Sequence, residues 1–205
     1  MAEEVNLKTK NTTLLWVFLA ANIIILFIIF FPHYLKQFDI ILLIRTIGAS
    51  IAPILLFLLN GLLTSHQKAI LVFWKLNDPL PGSIAFSKLC IKDSRIDIKS
   101  LKSKYGQFPR KNSEQNKLWY KLYKKNSANL IVTESHRAFL LARDLTSLSF
   151  LFIVFTGMLV LIFMHDDSKF YYVGFLFIQY LANVINAQNR GKRFVSNVLA
   201  VESNN

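Results

Sequence analysis

The run TTLLWVFLAANIIILFIIFF, Thr12–Phe31, carries no charge and one carboxamide, Asn22, in twenty residues. A hydrocarbon slab about 30 Å thick needs about 20 apolar residues of helix to cross it. This run supplies them. Its apolar length exceeds that of a cleavable signal core, and no small-residue cleavage pattern follows it, so it reads as a retained anchor. Pro32 then stops the helix.

Other runs of the same kind lie within Phe38–Leu63, over Thr146–Met164 and over Phe170–Ala187, with the five-residue link His165–Lys169 between the last two. The expected fold is an all-α integral membrane protein. Four transmembrane helices form two hairpins, with a basic, mostly helical cytoplasmic insertion between spans two and three. In residue terms, 1–11 is a polar N-terminus, 12–63 the first hairpin, 64–145 the insertion with its helix extensions, 146–188 the second hairpin and 189–205 a polar tail. Composition agrees: 53% of the 205 residues are hydrophobic, 18 of them Phe, and mean hydropathy is +0.38. The lone cysteine, Cys90, excludes an intrachain disulfide and any multi-cysteine metal site.

Charge fixes the orientation. The insertion Thr64–Leu145 holds 16 Lys/Arg against 6 Asp/Glu, so +10 of the chain's formal +12 lies there. Counted by flank, the first, third and fifth hold 21 basic residues and the second and fourth hold 2, Lys36 and Lys169. Basic excess in short loops marks the cytoplasmic side. The expectation is a multi-pass protein of the inner (plasma) membrane with both termini and the insertion in the cytoplasm.

Inside the insertion, Gln67–Leu76 is apolar enough to prolong the second span, and NDPLPG, Asn77–Gly82, breaks it. Asp97 is placed to cap a short helix ending at Gly106. Ser113–Lys125 is amphipathic. Leu118, Trp119, Leu122 and Tyr123 share one arc and Lys117, Lys121, Lys124 and Lys125 the other, with Ser113 as N-cap. Thr133 is expected to cap a long helix running unbroken from Glu134 to Met164.

Polar residues within the spans are few and patterned. Tyr172, Leu176, Gln179, Asn183, Asn186, Arg190 and Arg193 recur at alternating four- and three-residue steps, which sets them on one seam of the fourth helix. Carboxamides cannot face lipid unpaired. Asn22 and Gln179, each near the middle of its span, are expected partners. The seam reads as glue between helices or, in a sharper version, as the lining of a pore formed by several copies. Arg45 is the one charge placed inside the second span, where it can snorkel outward or pair with Asp39, Asp166 or Asp167.

For chemistry the sequence offers little. No HExxH, phosphate-binding glycine loop or GxSxG occurs, and no metal site or cofactor is expected. The cluster His136, Arg137, Arg143 and Asp144 at the foot of the third span reads as a salt-bridged helix base, and it is the first place to look for catalysis.

The leading expectation is a non-enzymatic, oligomeric membrane protein. Its insertion docks a cytoplasmic partner or the anionic leaflet through Lys117, Trp119, Lys121, Tyr123 and Lys124. The alternatives are an oligomeric channel or membrane-permeabilising effector lined by Asn22, Gln179, Asn183, Asn186 and Arg190, and, third, a membrane-embedded enzyme. The lipid bilayer, a second copy and a protein are the expected partners. Nucleic acid ranks last, because the charge is mostly Lys and no nucleic-acid motif accompanies it.

Overall fold

The structure, a computed structural model, describes residues 2–30, 59 and 61–205, with side chains from Lys10 onward. The second expected span falls almost wholly outside the described residues, and with it Arg45. Among the described residues every regular element is helical. Three stretches, Lys10–Phe30, Leu130–Phe163 and Ser168–Asn204, are long and apolar enough to cross a membrane, which marks the chain as a membrane protein.

The described elements are α1 (Ala2–Phe30), α2 (Ser65–Phe73), α3 (Ile98–Tyr105), α4 (Asn112–Lys125), α5 (Leu130–Phe152), α6 (Met158–Phe163) and α7 (Ser168–Asn204), with short 3-10, π and α turns over 81–92 and a π turn at Ile153–Gly157. The residues divide between two compact units, one made of 1–68 and 143–183, the other of 69–142 and 184–205.

The first unit has a largely apolar core. Leu19, Phe152, Val160, Tyr172 and Leu176 form its core, with Trp16, Phe18, Ile23, Leu26 and Phe30 packed against them. Its large outward residues (Leu14, Val17, Ile28, Phe155, Ile162, Phe163, Phe177 and Ile178 among them) are exposed, as helices with a lipid-facing side require. The π turn falls within the third apolar run, so that run is not the unbroken helix expected. There the Thr156 hydroxyl bonds the Phe152 carbonyl and lies 3.1 Å from the Tyr172 hydroxyl.

The α2 helix, expected to prolong the second span, has a start of its own. The chain breaks at Leu63–Thr64 and starts afresh in a reciprocal cap: Gln67 N–H donates to Thr64 Oγ1 at 3.2 Å and Thr64 N–H to Gln67 Oε1 at 2.8 Å. Such a Thr-x-x-Gln box satisfies two helix-end donors at once.

The second unit has a larger core of its own. Ala85, Phe86, Leu89, Leu101, Trp119, Leu122, Val132, Phe139, Phe194, Val195, Val198 and Leu199 are all buried in it. The α3 helix is built as the sequence implies: Asp97 accepts from Lys99 and Ser100 N–H, and Gly106 at φ 74° ends it. Two other caps differ. The N-cap of α4 is Lys111, so Ser113 sits inside the first turn. The α5 helix begins at Leu130, where Asn129 Oδ1 accepts from Ile131 N–H, and Thr133 instead turns its hydroxyl to the carbonyls of Ser127 and Asn129. In both cases a polar residue just upstream begins the helix first.

The largest departure is at the C-terminus. The expected polar tail is helix to Asn204, and Val195, Val198 and Leu199 are fully buried in the second unit's core. At about 1.5 Å per residue the 37-residue α7 helix is about 55 Å long, well beyond a hydrocarbon slab. Its apolar run ends at Ala187 and the remainder serves the second unit's core.

Close approach at two glycines holds that core. A methyl at Gly82 would lie 2.7 Å from Trp119 Cε3, and one at Gly191 would lie 2.9 Å from both Phe139 Cε2 and Phe73 Cζ. At Gly174 nothing stands within 4 Å. Gly82→Ala and Gly191→Ala are each expected to cost about 1–3 kcal/mol through overpacking, read as a lowered thermal midpoint of the purified chain. Gly174→Ala should not lower it.

Candidate functional site

The sequence groups His136, Arg137, Arg143 and Asp144 on one helix foot, but the folded chain divides their work. In the first unit, Asp144 Oδ1 accepts from Lys68 Nζ at 3.0 Å and from the Arg143 guanidinium at 3.4 Å. Lys68, Arg143 and Asp144 are each under one-tenth exposed. A buried carboxylate between two cations is held by charge-assisted bonds whose loss leaves charge without water. Ser147 closes the turn by donating to the Arg143 carbonyl at 2.9 Å. Lys68 had no place in the sequence-level site, since it lies 76 residues from Asp144 and nothing local signals the pair.

His136 belongs to the second unit's aromatic core. Its ring stacks on Phe194 at 4.7 Å and 8°, and its Nδ1 lies 3.1 Å from the Tyr123 hydroxyl. Trp119 stacks on Tyr123 at 5.9 Å and meets Phe194 edge-on at 5.2 Å. The imidazole is therefore a buried, hydrogen-bonded member of a packed stack. Arg137 pairs with Glu134 one turn earlier on α5, at 3.5 Å.

These contacts settle where the α4 residues point. Trp119, Leu122 and Tyr123 are buried, whereas Lys117, Lys121 and Lys124 are exposed. Trp119 and Tyr123, expected as docking anchors, are core residues. Tyr120 remains outside, and Lys124 Nζ lies over its ring at 5.4 Å.

The polar seam of α7 is used within the chain. Tyr172 meets Thr156 and Asn183 Nδ2 donates to Ser149 Oγ at 2.8 Å. Asn22 Nδ2 turns back to the Phe18 carbonyl at 2.9 Å. The carbonyl oxygens of Asn22 and Gln179 are buried without a hydrogen-bond partner, so the bond expected between them is not made. Asn186 and Arg190 are exposed. Cys90 is buried, and that burial pushes its thiol up. Among the described residues no three His, Cys, Asp or Glu side chains gather as a metal-binding group.

Sequence reading missed the strongest polar assembly, at Glu202. Its side chain is fully buried, yet Tyr105 donates to Oε1 at 2.6 Å, Lys125 to Oε1 at 2.7 Å and Asn126 Nδ2 to Oε2 at 2.6 Å. Glu202 stands fifteen residues past the end of the apolar run. Burial raises its carboxyl, but the bonds from Lys125, Tyr105 and Asn126 outweigh that and hold it below the usual carboxylate range. The same Glu202 bond raises Lys125. Burial, and then Glu202, raise Tyr105. A signal was present: Phe194, Val195, Val198, Leu199 and Glu202 follow helical spacing in a stretch read as tail.

Two outcomes follow. A carboxylate held low stabilises above its unfolded pKa, about 4.3, and that stability disappears as pH falls through the folded value. A lysine held high stabilises below about 10.4 and loses that contribution as pH rises through its folded value. The contribution of the Glu202–Lys125 pair to the second unit's unfolding midpoint should be present between these limits and lost on both sides, with Glu202→Gln lower at neutral pH and lacking this pair's acid-side loss. In the first unit, Asp144→Asn removes the carboxylate that Lys68 and Arg143 share and should cost about 3–5 kcal/mol, more than Lys68→Met, which leaves Arg143 its carboxylate. Comparison with protein-family models, curated proteins and solved structures finds no match, so the use of these sites has to be read from their own residues.

Proposed function

We propose that this chain is a small non-enzymatic membrane protein that presents its basic unit as a docking platform for an acidic protein partner. The supporting observation is the division of α4: Trp119, Leu122 and Tyr123 face inward while Lys117, Lys121 and Lys124 stand exposed. An interfacial membrane helix needs a free apolar face to sink into the headgroups. Here that face is spent on the core. What remains outside is charge on a rigid, packed support, which favours a complementary acidic surface and fast, salt-sensitive association. The anionic leaflet is the second acceptor of such charge.

Within this proposal the chain has four spans, both termini cytoplasmic, in the inner (plasma) membrane, on the strength of the 21-to-2 flank asymmetry. Exposed Asn186 is the seam carboxamide that a second copy would meet in a homo-oligomer. The channel reading draws less support, because Tyr172 and Asn183 already spend their bonds on Thr156 and Ser149. The enzymatic reading draws less still, with His136 stacked in a core and Asp144 neutralised by two cations.

Changing Lys117, Lys121 and Lys124 together to Glu should move the thermal midpoint by no more than about 0.5 kcal/mol's worth per site. It should abolish low-salt co-purification of an acidic protein from host membranes and the cellular activity that depends on it. Co-purification that survives the triple change would sink the docking proposal. Loss of binding to anionic but not neutral nanodiscs, with no protein partner lost, would assign the lysines to the leaflet instead.

A further inference from the structure

The faces of α5 and α7 within the second unit leave a hollow of about 340 Å³, lined by Arg190, Arg193, Asn197, Glu134, Ser135 and Ala138, with Ile131 at one end. Ile131 and Asn197 also line an adjoining hollow of about 420 Å³. The first volume is within the range that holds small-molecule groups. Arg190, Arg193 and Asn197 follow at steps of three and four, so α7 delivers them on one face.

Three features define the chemistry. Arg190 and Arg193 are exposed, and among the described residues neither has a carboxylate within ion-pair distance. Two guanidiniums a turn apart present forked donors of the kind that grip phosphate. Asn197 is 5% exposed, and its Oδ1 is buried with no hydrogen-bond partner. An acceptor in that condition calls for a donor, from a bound water or from a ligand that it meets by turning its amide toward the hollow. Finally, Glu134 puts a carboxylate in the lining, held from Arg137 at 3.5 Å and half exposed. A simple anion would suit the arginines but would oppose Glu134 and leave Asn197 unmatched. A zwitterion with a phosphate at one end and an N–H-bearing cation at the other suits all three.

Arg190 and Arg193 follow Ala187, the last residue of the apolar run, by three and six residues, or about 5 and 9 Å of helix, at the outer edge of a headgroup layer that extends about 5–8 Å beyond the hydrocarbon. Asn197, ten residues past Ala187, stands about 15 Å along the helix, so the group the hollow takes is either a lipid headgroup drawn up from its layer or a soluble compound. We propose that this hollow binds a phosphoethanolamine group, with the phosphate on Arg190 and Arg193 and the ammonium donating to Asn197 Oδ1 and the Glu134 carboxylate.

The full chain in mild detergent tests this, with thermal midpoint and titration as readouts. The probes are phosphatidylethanolamine, phosphatidylcholine, soluble phosphoethanolamine and inorganic phosphate. Phosphatidylethanolamine should raise the midpoint and bind at least tenfold tighter than phosphatidylcholine, whose quaternary nitrogen has no N–H to give. If the lipid is the source of the group, it also binds at least tenfold tighter than soluble phosphoethanolamine; equal affinity assigns the site to the soluble compound. Arg190→Gln with Arg193→Gln should remove the response to every probe while circular dichroism stays unchanged, since both side chains are exposed. Asn197→Leu should erase the preference for ethanolamine over choline and keep phosphate binding. A double-arginine variant that responds as the parent does, equal binding of the two lipids by the parent, or no response to any probe would overturn the assignment.

Discussion

A buried carboxylate with no water must find its partners inside the protein, and Glu202 finds three. Tyr105 comes from the end of α3, Lys125 from the end of α4 and Asn126 from the residue that stops α4, while Glu202 itself lies in the last turn of α7. The carboxylate thus ties three helices at their ends, where backbone groups are hardest to satisfy. Asn126 Nδ2 serves twice, reaching the Leu122 carbonyl at 2.9 Å as well as Glu202. Burial of apolar surface is itself not directional. The polar knot adds a directional constraint to the close approach at Gly191, and together they fix the register of α7. With that register fixed, Phe194 lies on the His136 ring and Gly191 lies against Phe139 and Phe73.

The first unit meets the opposite problem. Its helices are surrounded by apolar side chains, so hydrophobic burial distinguishes poorly between one packing and another in lipid. Its few polar contacts, Asn183 to Ser149, Tyr172 to Thr156 and the Lys68–Asp144–Arg143 group, are what give α7, the α5–α6 stretch and the first turn of α2 defined faces. Each lies within a turn or two of a place where the helix departs from regularity: the π turn at Ile153–Gly157 brings Thr156 to Tyr172, and the break at Thr64 precedes Lys68.

Much of this was legible beforehand, and the reason is periodicity. Apolar runs of membrane length, the NDPLPG break, the Asp97 cap with its glycine stop, and the two-faced α4 helix are local patterns whose physics is complete within a dozen residues. Helix starts were displaced because Lys111 and Asn129 precede the better-looking Ser113 and Thr133, and the first residue that can end the coil wins. The sites were harder. Lys68 and Asp144 are 76 residues apart, and Tyr105 and Glu202 are 97 apart, distances over which composition carries no signal. The arginines after Ala187 drew attention to themselves as topogenic charge, and that concealed the amphipathic helix continuing beyond them.

That continuation changes what the lysines mean. A tail that merely followed the last span would leave the insertion to stabilise itself, which some 60 residues do poorly. Instead 184–205 supplies Val195, Val198 and Leu199 to the insertion's core and Glu202 to its polar knot. Val195, Val198, Leu199 and the deeply buried carboxylate thereby face inward. The excess of Lys is left outside on a framework that does not need it for stability. Charge that the fold does not require is free to serve recognition, whereas Lys125, bonded to Glu202, is bound to the fold and is the one lysine of the α4 face that recognition cannot use without cost to stability.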